Sequence, residues 1–323
     1  MSTLALHRLY PNASQLVYGC MGLGGGWNNN PISNDDIQQC HRIIDTVLTE
    51  KINVFDHADI YTFTKAETVF GNVLAERPEL RSHMIIQSKC GIRFEDNTGP
   101  KRYDFSQAHI TQSVDGILKR LNCDYLDLLL LHRPDPLMDP REIAKTLSSL
   151  EKSGKVKHFG VSNMHLHQMQ FLNHYLEKPL VVNQIEMSLS QLNWLNEGVL
   201  AGQHAGADVN FAAGTLEYCQ THDIQLQSWG SLSQGLFTGQ DLSAQPHSIQ
   251  STANLVAQLA SEYQCSKEAI VLAFIQRHPA NIQPTIGTTS LDRITACAQA
   301  AQITLSREHW YQLFVTARGS ELP

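Results

Sequence analysis

The chain lacks a basic footprint. Across 323 residues the net charge is −7, with 24 Lys and Arg against 31 Asp and Glu, which argues against a nucleic-acid partner. It lacks paired cysteines. The seven, at positions 20, 40, 90, 123, 219, 265 and 297, are odd in number and never in C-x-x-C spacing, a pattern suited to free thiols in a reducing compartment. No apolar run approaches the ~20 residues needed to cross a bilayer. The start, Met1-Ser-Thr-Leu-Ala-Leu-His-Arg8, lacks the uninterrupted apolar core of a signal peptide. Linkers rich in Pro, Gly or Ser are also missing. These absences describe a cytoplasmic, monomeric, single-domain protein over residues 1–323, with no membrane partner.

What is present is a rhythm. Strands are expected at 16–19, 54–56, 84–89, 126–132, 156–161, 181–186, 224–228 and 282–286. Helices are expected between and after them, at 66–76, 106–120, 140–152, 164–176, 213–222, 249–264, 266–278, 291–301 and 306–316, with an earlier one from Asn34. The strands are nearly continuous apolar runs, as in a parallel sheet buried on both faces. Eight strand-then-helix units point to an α/β fold, a (β/α)8 TIM barrel, with a doubly wound sheet as the alternative. Two connections, 91–105 and 193–214, are long for a compact barrel.

The glycine-rich stretch Cys20-Met-Gly22-Leu-Gly24-Gly-Gly26-Trp27 can approach a ligand closely, although a mobile loop accounts for it equally well. It is not a dinucleotide fingerprint, because the G-x-G-x-x-G spacing before a helix is missing. His165 and His167 sit at a helix start with no Cys, Asp or Glu at ligand spacing, so no metal is expected.

Asp56, Lys89 and His132 end three consecutive strands, and Tyr61 follows the first of them. In a barrel these ends share one face. A phenol ordinarily titrates near ~10, and an adjacent ammonium is expected to lower that value. Asp56 is the natural partner to hold Lys89 charged, and His132 can hydrogen-bond a substrate oxygen. Such a group suits carbonyl reduction, with the proton coming from Tyr61.

The segment Phe55-Asp56-His-Ala58-Asp-Ile-Tyr61, with Glu67 and Gly71, resembles the first signature of the aldo-keto reductases. So do Lys89, the run Leu121 to His132, and Gly154-Lys-Val-Lys-His-Phe-Gly-Val-Ser-Asn163. The Arg133-Pro-Asp-Pro136 that follows the histidine looks like a bacterial branch of poorly characterised oxidoreductases. The resemblance implies a catalytic tetrad of Asp56, Tyr61, Lys89 and His132, with NADP as cofactor and a small-molecule carbonyl compound as substrate. It implies that Ser162, Asn163 and Gln184 hold the nicotinamide amide, although Asn163 could instead cap a helix. It further implies that Trp229 stacks on the nicotinamide ring, and that Gly230, Ser231, Leu232 and Gln234 approach the pyrophosphate. Gly22, Gly287, Thr288, Thr289 and Arg293 complete the expected cradle. Arg293 stands at a helix start suited to a phosphate. Gly287 and Cys297 stand where many members carry lysine and asparagine. Trp27, Phe63, Phe94 and Arg133 are the expected substrate contacts, and the arginine suggests polar or anionic carbonyl compounds. Family members that bind NADP as redox sensors or regulatory subunits supply the alternative function.

Overall fold

The structure, a computed structural model, describes residues 3–323. Eight parallel strands close into a barrel in chain order: β1 (Val17–Gly19), β2 (Val54–Asp56), β3 (Ile85–Cys90), β4 (Leu126–Leu131), β5 (Val156–Ser162), β6 (Val182–Glu186), β7 (Gln225–Trp229) and β8 (Gln283–Ile286), which pairs back onto β1. The doubly wound alternative is thereby excluded. Register brings Asp56 beside Gln87, Lys89 beside Leu130, and Gln184 beside Gln227, so inward positions of neighbouring strands form layers.

Strand alternation divides the core. Val17, Val54, Ile85, Leu128, Leu130 and Val182 cluster inside the barrel, whereas Tyr18, Phe55 and Leu129 meet the surrounding helices. Leu4 and Leu6 join the inner cluster from a short 3-10 turn, Ala5–Arg8, and cork the barrel floor. The Leu6 amide donates to Gln225 Oε1 at 3.3 Å, and Arg8 pairs with Asp223 at 2.8 Å.

The outer helices are α1 (Asn34–Thr49), α2 (Lys65–Glu76), α3 (Gln107–Leu121), α4 (Pro140–Lys152), α5 (Leu166–Asn173), α6 (Asn193–Val199), α7 (Thr215–Thr221), α8 (His247–Glu262), α9 (Lys267–Gln276), α10 (Leu291–Ala298) and α11 (Arg307–Arg318). Their starts follow capping chemistry. Ser33, Ser106, Ser266 and Ser306 each accept from a first-turn amide. α2 and α3 approach so closely that a Cβ on Gly71 would lie 1.9 Å from the Arg120 carbonyl oxygen, which explains the glycine.

Three departures from expectation have local causes. Residues 91–105 form an antiparallel ribbon, Ile92–Arg93 with Arg102–Tyr103, tied by Asp96 to both arginines. Residues 193–214 contain α6 and a 3-10 turn, His204–Asp208, because Trp194 and Leu195 bury against the core. Helix α5 is shorter at both ends than expected, and at its start the His165 side chain caps it, accepting from the Gln168 amide. No helix among the described residues is long and apolar enough to cross a membrane.

Candidate active site

Lys89 is fully buried and spends all three of its N–H groups. Nζ donates to Asp56 Oδ2 at 2.7 Å, to Tyr61 Oη at 2.9 Å and to the His57 carbonyl at 3.1 Å. The Tyr61 and His132 rings meet edge to face with centroids 6.0 Å apart. The four strand-end residues expected from the sequence are therefore in one place. After Tyr61 the chain turns through Thr62, Phe63 and Thr64, all left-handed with φ of +47°, +56° and +73°. Three such residues in succession are costly for side chains with a Cβ, and the Thr62 hydroxyl donating to the Leu23 carbonyl at 2.9 Å helps hold them.

Electrostatics differ from the sequence expectation at one point. Burial raises the Tyr61 pKa and outweighs the Lys89 ammonium, which acts to lower it, so Tyr61 stays a protonated phenol at neutral pH. Burial also works against charge on Lys89, but Asp56 and Tyr61 overcome it and the lysine pKa rises. Burial, with Lys89 and Arg133, drives His132 well below the usual imidazole range, so it is neutral. His57 faces the helix layer, as the alternation predicts, with its ring 4.6 Å from that of Phe70.

Behind the tetrad lies a second buried carboxylate group. Glu67 accepts from Ser88 and Arg120, each at 2.7 Å. Burial, then the charge of Glu67, pushes Asp59 up to about 7. Asp59 therefore holds its proton more tightly folded than unfolded. Its contribution to stability is complete below the ordinary carboxylate value of 3.8 and is lost as pH rises to about 7. Asp59→Asn, neutral throughout, should gain on the wild type across that window, reaching a few kcal/mol at most by about pH 8. Thermal melts of both proteins at several pH values check this; a pH-independent difference would contradict it.

Beyond Tyr61 and His132 a cleft of about 990 Å³ runs across the C-terminal face of the barrel to Arg293. Asn163 is left-handed (φ +60°) and is not a helix cap. Its Nδ2 donates to Ser162 Oγ at 2.7 Å and its Oδ1 accepts from Trp229 Nε1 at 3.0 Å. Gln184 stands beside them with Nε2 donating to Gln227. Trp229 ends β7 and carries the Arg133 guanidinium 5.7 Å from its ring centre. The following loop runs through left-handed Gly230, Ser233, Gln234 and Gly235, which lays backbone rather than side chains along the cleft. At the far end a Cβ on Gly287 would meet nothing nearer than 3.9 Å, so that wall is open. Ser290 caps α10 next to Thr288 and Thr289, and Arg293 donates to Thr238 Oγ1 at 2.8 Å and to Glu268 Oε1 at 3.3 Å.

Ser231 and Leu232 also line the cleft, as do Trp27 and Arg133. Three expected contacts lie elsewhere. Gly22 packs behind the wall, where its Cβ would touch Thr289 at 3.0 Å. Phe63 and Phe94 stand outside the lining: Phe63 meets Trp27 edge-on at 5.4 Å and Phe94 at 5.5 Å, forming a brace behind Trp27. The cleft is also lined by Met21, Ile60, Ile92, Lys101 and Tyr103, and by Glu186 from the end of β6. Nothing in their spacing marks them, because three belong to the irregular 91–105 connection or its ribbon.

A buried Lys–Asp–Tyr triad and a neutral histidine open onto a long cleft at the C-terminal face of the barrel, an arrangement chemically able to exchange a proton at the head of that cleft. The comparisons with known proteins agree. The aldo/keto reductase family model matches residues 15–314, and the chain belongs to that family. It is 33% identical over 303 residues to the uncharacterized oxidoreductase YcsN of Bacillus subtilis, covering 93% of this chain and 94% of that one. It is also 33% identical over 314 residues to the 6-dehydroglucose reductase of Agrobacterium fabrum, covering 96% of each. In fold it is similar to an aldo/keto reductase of Klebsiella pneumoniae solved with NADP and acetate, with a TM-score of 0.69 at 20% identity over 96% of this chain and 93% of that one. The protein is an oxidoreductase of the aldo-keto reductase type, a family that works with a nicotinamide cofactor.

Proposed function

We propose that this protein reduces an aldehyde or ketone to the alcohol with NADPH. The observation that carries the reading is the Lys89 ammonium bonded at once to Asp56 and to the Tyr61 phenol at the head of the cleft. The bound cofactor supplies a hydride. Tyr61, kept protonated by burial, gives its proton to the carbonyl oxygen, and Lys89 stabilises the phenolate left behind. Asp56 keeps Lys89 charged without competing for the substrate. His132, neutral, donates a hydrogen bond to the same oxygen and orients it.

The cleft's own residues fit a nicotinamide dinucleotide. Asn163 and Gln184 offer amide groups for the carboxamide, Trp229 an aromatic face, and residues 230–235 a backbone cradle for phosphates. Thr288, Thr289 and Arg293 suit the 2′-phosphate that separates NADPH from NADH. Arg293→Ala should weaken NADPH binding by about tenfold or more, the weight of a charged hydrogen bond, and leave NADH nearly unchanged. Equal losses for both cofactors would remove Arg293 from the phosphate grip.

Lys101 and Arg133 at the substrate end support polar or anionic carbonyl compounds, and the likeness to a 6-dehydroglucose reductase supports sugar aldehydes among them. All seven cysteines are unpaired, in keeping with a reducing cytoplasm. The direct test is NADPH oxidation against neutral, carboxylated and sugar aldehydes. Turnover of at least one class is expected. Tight NADPH binding with no turnover of any would favour a redox sensor.

A further inference from the structure

Four glutamines fill the middle of the barrel, all from inward positions: Gln87 on β3, Gln184 on β6, Gln227 on β7 and Gln283 on β8. The two ends of a glutamine amide are alike in shape, so its orientation is decided by its partners. Here the partners decide it. Gln283 Nε2 lies 2.6 Å from the Ser14 carbonyl, which can only accept, so Gln283 donates there and turns Oε1 inward. That oxygen takes the N–H of Gln227 at 3.0 Å, which turns Gln227 Oε1 toward Gln87 Nε2 at 2.9 Å and Gln184 Nε2 at 3.1 Å. Gln87 Nε2 gives its second N–H to Asp56 Oδ1 at 2.5 Å.

Both ends of this relay are acceptors, a backbone carbonyl and a carboxylate. One member must therefore give both of its N–H groups, and that member is Gln87. The cost is visible: Gln87 Oε1 is buried with no hydrogen-bond partner. A group left orphaned in this way is rare in a barrel core, and the requirement of two acceptor ends accounts for it.

We propose that the Ser14–Gln283–Gln227–Gln87 relay positions both halves of the reaction through Gln227. Resting on the NADPH reading above, it turns Gln184 so that its oxygen, not its nitrogen, faces the cleft and accepts from the carboxamide NH2 of the nicotinamide. On its other arm it supplies Asp56 Oδ1 with a fixed donor, which holds the carboxyl group in place with Oδ2 toward Lys89. Gln227 touches neither substrate nor cofactor. It is a positioning residue, and without it the amide of Gln184 is free to turn over.

The test compares the binding of NADP+ with that of its 3-acetylpyridine analogue, in which a methyl replaces the carboxamide NH2. A residue that only packs the core affects both alike. The wild type should favour NADP+. Gln227→Met, similar in length but unable to hydrogen-bond, should shrink that preference about fivefold, the weight of one net hydrogen bond. Gln227→Glu should restore it, because burial keeps the carboxyl protonated, with an oxygen toward Gln87 and Gln184 and an O–H toward Gln283. An unchanged preference in Gln227→Met overturns the relay, as does a preference lost equally in Gln227→Glu. Should Gln227→Met fail to fold, Gln283→Met breaks the relay one step earlier and is read by the same ratio: a shrunken preference supports the relay and an unchanged one overturns it. A wild type that binds neither dinucleotide defeats the cofactor reading itself, an outcome distinct from the others.

Discussion

Tyr61→Phe is expected to lower kcat by about 10²–10⁴-fold, the range associated with a positioned general acid. The change deletes one oxygen and leaves a ring that still meets His132, so the cleft wall keeps its shape. NADPH affinity should hold within about twofold, because the phenol lies at the head of the cleft and the residues that would grip the cofactor are Asn163, Gln184, Trp229 and Arg293. Lys89 loses one of its three acceptors, but Asp56 and the His57 carbonyl keep the ammonium in place. Steady-state rates and cofactor titration on the same preparations decide the matter. A variant with more than about a tenth of wild-type kcat would show that the proton comes from elsewhere.

Lys89→Met should damage both stability and activity. Lys89 and Asp56 are a buried pair with almost no solvent contact, so removing the ammonium leaves a carboxylate in the barrel with only Gln87 to answer it. Breaking such a pair costs about 3–5 kcal/mol. The paired substitution, Asp56→Asn with Lys89→Met, removes the orphaned charge as well and should recover much of that loss in a denaturant melt. Activity should not return with it, because the Tyr61 oxygen has lost the cation that stabilises it as the proton leaves. Stability and turnover thus part company in the double variant. If the double variant is no more stable than Lys89→Met, the charge of Asp56 is not what makes the single change expensive.

Much of this is legible in the chain. An apolar run that ends on one ionisable residue is a strong sign when it recurs on consecutive units, because burial tolerates such a group only where it is paired. Asp56, Lys89 and His132 stand out that way. The glutamines do not, although a signal is present: Gln87 lies two positions before Lys89 and so shares its inward phase, and Gln227 lies two positions before Trp229 on the same face of its strand. An uncharged amide is easily taken for tolerance, and only the partners reveal a relay. Phe63 and Phe94 leave their expected place for another reason. Closeness in sequence to Tyr61 and Lys89 sets the rim but not the direction a side chain takes there, and the left-handed turn at 62–64 swings Phe63 to the outside. The Tyr61 pKa moves against expectation because the lysine's presence is written in the sequence and the depth of burial is not.

The corked floor bears on how the chain comes to be folded at all. Leu4 and Leu6 are synthesised well before their partners, because the amide of Leu6 docks on Gln225, 219 positions later, and Arg8 on Asp223. Until the seventh strand has been made, the stopper has no bottle. During synthesis this apolar segment must therefore wait while the 219 residues that separate it from Gln225 are added, a delay of roughly 10–45 seconds at usual elongation rates.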